Sequence, residues 1–184
     1  TSEDVINRGS SFETPTIYQT TSYWVSEVLL GGMAPVNVGA NPLAQTGGSN
    51  AIDLSSVYAT DFYYLNFDVL INTTLTSVDI YPSDPIGSSG SIRIEDSSGT
   101  LVQEVPYVTT VTNSSVSSLN VQTVQLNVPL VGGQSYRIVQ GNTLSLYRST
   151  SGANFPYTST VANITGSNFS NAGYYYFFYN RFFL

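Results

Sequence analysis

Hydrophobic and polar positions alternate with a period of two through much of the chain. In Leu65-Asn66-Phe67-Asp68-Val69 the apolar residues fall on one face, and Val78-Asp79-Ile80, Ile92-Arg93-Ile94-Glu95 and Val124-Gln125-Leu126-Asn127-Val128 repeat the pattern. Side chains of a strand point alternately to its two faces, so each stretch reads as a half-buried strand. Turn-forming clusters fall between them: Pro82-Ser83-Asp84-Pro85, Asp96-Ser97-Ser98-Gly99, Val131-Gly132-Gly133-Gln134 and Ser151-Gly152-Ala153-Asn154. Helical periodicity is hard to find. Short strands separated by turns at roughly 8–12-residue spacing predict an all-β fold, an antiparallel sandwich of jelly-roll type.

The pattern is interrupted near the start. Residues 1–30 contain a strand-like stretch at 20–28, and Gly31-Gly32-Met33-Ala34-Pro35 then breaks any pairing. Residues 31–44 read as a linker and 45–184 as the sandwich. The Ser/Thr-rich stretch 109–118 reads as an exposed loop or edge. The chain begins at Thr1 without Met, which fits a processed or excised piece of a longer polypeptide.

Composition narrows the chemistry. The 184 residues include five arginines, no lysine and twelve acids, for a net charge of −7. A nucleic-acid ligand demands a basic surface that this chain lacks, and the same acidity disfavours anionic lipid. No apolar run has the roughly 18 residues of a membrane span. Cysteine and histidine are absent, which removes disulfides, thiolate nucleophiles, imidazole catalysis and Cys/His zinc sites. At 41% hydrophobic and 13% aromatic the chain has ample material for a core. Catalysis would have to rest on carboxylates, and Asp68, Asp79 and Glu95 sit at outward strand positions where solvated surface is expected; the chain reads as non-enzymatic.

Gly9-Ser10-Ser11-Phe12-Glu13-Thr14-Pro15 followed by Tyr18-Gln19-Thr20-Thr21-Ser22-Tyr23-Trp24-Val25 resembles the last two strands of Ig-like repeats in large exported proteins of Bacteroidota. The remainder is similar to the β-sandwich module that often follows such a repeat. Leu146-Tyr147-Arg148 through Phe155-Pro156-Tyr157 and the closing Tyr174-Tyr175-Tyr176-Phe177-Phe178-Tyr179 carry that likeness. It departs after Asn180, where Arg181-Phe182-Phe183 stands in place of the family's tryptophan. The resemblance implies a secreted or cell-surface location and a role as structural spacer or adhesion module in an adhesin or gliding-motility protein. It also implies neighbouring domains in the same polypeptide and export by type IX machinery through a sorting domain not seen here. A carbohydrate-binding module attached to a secreted hydrolase or adhesin is the alternative.

Three groups of residues are candidate sites. The aromatic run 174–179, placed on a strand, would put Tyr174, Tyr176 and Phe178 on one face and Tyr175, Phe177 and Tyr179 on the other. An exposed row would stack on sugar rings; a strand paired on both sides would bury both faces, and the latter is the expectation. Arg148 would either hold a sugar or serve internally, paired with an acid or stacked on Tyr157 or a terminal tyrosine. The ligand-binding set is therefore Arg148, Tyr147, Tyr157, Tyr175 and Tyr179. Asp53, Asp61, Asp84 and Asp96 are candidates for a structural calcium, set against ordinary turn duty; no other cofactor is expected.

Overall fold

The computed structural model describes residues 34–42 and 50–184. The Ig-like strands expected within residues 1–30 lie outside the described residues. Every element among those described is a strand. A four-stranded sheet runs in the order β1 (Val36–Val38), β14 (Tyr179–Phe183), β6 (Thr73–Ile80), β9 (Gln122–Leu130). A six-stranded sheet runs β12 (Tyr157–Thr158), β13 (Ala162–Ser167), β5 (Tyr64–Val69), β10 (Gln134–Gln140), β7 (Ser89–Asp96), β8 (Leu101–Val108). Two small pairs complete the fold: β4 (Ser56–Ala59) with β11 (Ser145–Arg148), and β2 (Asn41–Pro42) parallel to β3 (Ala51–Ile52).

The connectivity is that of a jelly roll. With β2–β4 and β11–β13 set aside as insertions, successive strands alternate between two four-stranded sheets, apart from the β7–β8 hairpin that stays within one of them, in nested Greek keys. Both main sheets are antiparallel throughout. The predicted alternation is realised most clearly in β9, where Gln122, Val124, Leu126, Val128 and Leu130 are buried and the residues between them exposed. In β5, Leu65, Phe67 and Val69 point into the core. Phe67 meets Phe183 of the opposite sheet with ring centroids 6.2 Å apart, so β5 and β14 clamp the centre of the sandwich. Fully burying side chains of this size contributes about 1.5–3 kcal/mol each before entropy is counted, which in a disulfide-free chain makes this layer the main source of stability.

Three expectations change. Val36–Val38, assigned from sequence to the linker, is an edge strand paired with β14, so the sandwich begins before residue 45. Asp79 is not solvated: at 8% exposure it accepts hydrogen bonds from Thr123 Oγ1 (2.6 Å) and Asn180 Nδ2 (3.0 Å), and Asn180 Oδ1 accepts from Asn37 (3.2 Å). This polar row ties all four strands of the smaller sheet. The aromatic run is not one strand either. Phe177 adopts φ +58°, a left-handed conformation costly for a bulky residue, and pairing with β6 starts only at Tyr179. Residues 109–118 are mostly exposed, as expected, but Thr109 and Asn113 are buried, and Asn113 donates to the Pro82 and Asn120 carbonyls.

Candidate functional site

The bend at Phe177 decides the fate of the aromatic run. It lets consecutive rings pack in different directions, and Tyr175 through Tyr179 are all 0% exposed. Tyr175 instead bridges to Ser149 through two backbone hydrogen bonds, joining the run to the end of β11. Tyr175 and Tyr179, together with Tyr147 and Tyr157 at 4% each, are therefore core residues and present no face to a surface ligand. Burial pushes the phenols of Tyr157 and Tyr179 up, as the interior disfavours a phenolate.

Arg148 alone of that set reaches the surface. β4 and β11 pair with Ser56 opposite Arg148 and Tyr58 opposite Leu146, which puts Tyr58 and Arg148 on a diagonal of one face. The guanidinium carbon lies 4.2 Å from the Tyr58 ring centroid and 5.2 Å from those of Tyr174 and Tyr176. Its Nε donates to Ser56 Oγ (3.1 Å) and its Nη1 to Tyr176 Oη (2.6 Å). Burial pushes the Tyr176 phenol up to about 12 against the opposing pull of the Arg148 charge. No carboxylate lies within ion-pair distance of Arg148 among the described residues, and its aromatic partners are not Tyr157. The cation is held by π faces and hydroxyls, and among the described residues Nη2 makes no hydrogen bond.

Around it spreads a larger aromatic group that sequence reasoning missed. Tyr63 is its hub, with centroids 4.6 Å from Tyr176, 5.1 Å from Phe169, 5.3 Å from Phe62 and 6.0 Å from Tyr58. Phe169 continues to Tyr174 at 4.6 Å. Phe62 is 68% and Tyr58 39% exposed, while Tyr63, Phe169 and Tyr174 are half-buried. Four separate stretches of chain thus build one partly exposed aromatic surface with a single guanidinium set among the rings. The cluster Phe62-Tyr63-Tyr64 was the available signal, but it falls where the alternation is weakest.

The carboxylates are engaged elsewhere. Asp96 caps its own hairpin turn, accepting from Ser98 N, Ser98 Oγ and Thr100 N, and these bonds hold its carboxyl below the usual range. Asp84 accepts from Ser145 N (2.7 Å), Asp68 from Ser135 Oγ (2.6 Å) and Glu104 from Ser91 Oγ (2.6 Å), and Glu95 lies 3.4 Å from Arg93. The structure does not gather Asp53, Asp61, Asp84 and Asp96: among the described residues no three acidic side chains converge as a metal site. Comparison with known proteins returns no match to any family model, curated protein or solved structure.

Proposed function

We propose that this jelly roll is a non-catalytic binding module of a secreted or cell-surface protein, attaching to carbohydrate through the Arg148 aromatic surface. The observation that carries the reading is the continuous group Tyr58, Phe62, Tyr63, Phe169 and Tyr174, whose exposed members flank a guanidinium with an unused edge. Aromatic faces left in water on a folded domain cost free energy, and a group of them together marks a place where something docks. Sugar rings suit it: their C–H faces stack on aromatic rings and their hydroxyls take hydrogen bonds from a guanidinium and from phenols. The likeness of this chain to sandwich modules of exported Bacteroidota proteins supports an adhesive duty beside other domains of the same polypeptide.

Affinity gel electrophoresis against a panel of soluble polysaccharides, followed by calorimetric titration, tests the reading. The wild type is expected to be retarded by at least one polysaccharide, and a Tyr58→Ala/Phe62→Ala double variant to lose that retardation. Each ring contact contributes about 0.5–1.5 kcal/mol, so the pair corresponds to roughly a 5–150-fold loss. Tyr58→Ala also removes a ring stacked on Arg148, so the melting temperature should fall by about 2–4 °C per kcal/mol lost, and binding is compared well below the transition of both proteins. A wild type that binds nothing in the panel, or a double variant that binds as well, defeats the proposal.

A further inference from the structure

Of the sugars that could stack on the surface aromatic group, the bonding of Arg148 favours one class. A guanidinium carries five N–H groups and no acceptor. At Arg148 two of them are used, Nε donating to Ser56 Oγ and Nη1 to Tyr176 Oη. One N–H of Nη1 and both of Nη2 remain. Nη2, unbonded among the described residues, is not sealed in the interior and faces solvent. The charge also lacks a counter-ion. Arg93 lies 3.4 Å from Glu95, while Arg137 stands opposite Glu95 in the β10–β7 ladder and donates to the Ser97 carbonyl. Arg148 has no described carboxylate within 4.0 Å; the exposed Asp53 and Asp61, on either side of β4 in the chain, are both farther off.

The rings of Tyr58, Tyr174 and Tyr176 stabilise this cation without neutralising it, because a quadrupole leaves the net charge intact. Three open donors, enough for both oxygens of a carboxylate, thus stand beside a platform whose exposed rings are Phe62 and Tyr58. A sugar hydroxyl takes one of these N–H groups. A carboxylate takes two and supplies the missing charge, and such charge-assisted bonds are roughly twice as strong as neutral ones. A uronic-acid residue brings both parts in one ring: the C–H face of the pyranose stacks on an aromatic face while the carboxylate projects from its rim toward the guanidinium. A sulfated sugar with more than one charge on a residue suits the surface less. One guanidinium answers one charge, and the net charge of −7 opposes the rest.

We propose that the Arg148 aromatic surface selects uronic-acid sugars, with Arg148 Nη1 and Nη2 donating to the carboxylate; this rests on the carbohydrate reading of the same surface. The probes are oligogalacturonate, oligomannuronate and oligoglucuronate, each set beside its carboxyl-reduced form, in which a hydroxymethyl group replaces the carboxylate while ring and linkage stay the same. Calorimetric titration is run at about pH 7, where a uronate is ionised, at constant ionic strength and well below the melting transition. At least one uronate is expected to bind roughly 5–50-fold tighter than its reduced form, and Arg148→Gln to bring that pair to parity. Equal binding within every pair, lost in the Tyr58→Ala/Phe62→Ala variant, overturns the selection and leaves the carbohydrate reading standing. Binding confined to neutral polysaccharides does the same. No binding to any sugar, charged or neutral, ends both. Dextran sulfate bound as tightly as the uronates, or a uronate preference that survives in Arg148→Gln, also overturns the proposal, because the charge is then read elsewhere. Should Arg148→Gln fail to fold, the wild-type comparison within each pair still decides.

Discussion

Gly39 offers a clean measurement of how tightly the β1–β2 turn is closed over the interior arginine. Replacing it with alanine does two things. A Cβ is forced onto a backbone at φ +123°, and that atom is driven to 2.6 Å from Tyr175 Oη and 2.8 Å from Arg181 Nη1, both on fully buried side chains. A strained left-handed conformation costs about 1–3 kcal/mol and overpacking a further ~1–3 kcal/mol, for a sum of roughly 2–6 kcal/mol. Gly87 is the internal control: its φ is +93°, it is exposed, and a Cβ there meets nothing within 4 Å, so Gly87→Ala incurs only the backbone cost. Urea unfolding of both variants reads the difference as a shift in midpoint at constant slope. With a slope of about 2 kcal/mol/M, Gly39→Ala should move the midpoint down by roughly 1–3 M and Gly87→Ala by about half as much or less. Equal midpoints for the two variants would refute the claim that Tyr175 and Arg181 are packed rigidly against this turn.

Other measurements probe different parts of the molecule. Arg148→Ala should destabilise the domain by about 1–3 kcal/mol, read by thermal melting, because it removes a stacked cation and leaves Tyr176 Oη without its donor. Asp79→Ala leaves the buried Asn180 Nδ2 without its acceptor and should cost about 1–3 kcal/mol, with a loss well below that showing that the polar row is dispensable. Burial raises the phenols of Tyr81, Tyr107, Tyr157, Tyr176 and Tyr179 in the folded state above their unfolded value near 10. The protonated phenols are therefore favoured by folding; stability is fully present below pH 10 and falls as pH climbs through 10 to 12 and beyond. The share of phenolate absorbance that belongs to these five should accordingly appear together with unfolding rather than ahead of it. With no histidine in the chain, stability should be nearly flat from about pH 6 to 9.

The strands of the sandwich were legible where period-two alternation ran for five residues or more, as in β5 and β9, because one face buried and one wet leaves that mark on a sequence. β1 was not legible. Three residues between Pro35 and Gly39 are too short to show a period, and the strand exists through pairing with β14, about 145 positions away in the chain. The aromatic run misled because hydrophobicity says that a residue is buried but not in which direction its backbone turns; Phe177 at φ +58° breaks the strand that periodicity implied. Asp79 looked solvated because its alternation put it outside, and only the neighbouring strands bring the Thr123 and Asn180 side chains that cover it. Of the surface site, Arg148 was visible as one of five cations. Its companions Tyr58, Tyr63 and Phe169 come together from separate segments, a juxtaposition that no local pattern records.

β14 lies between β1 and β6, so the smaller sheet has a gap at its heart until Tyr179–Phe183 arrives. A ribosome or a translocation channel delivers strands in chain order, and β1 must wait unpartnered while nearly 140 residues follow it. Phe67 likewise lacks its cross-sheet neighbour for that interval. Closure is then a late, long-range event of the kind that makes folding slow, and a polypeptide with this connectivity stays threadable for as long as its final strand is still in transit.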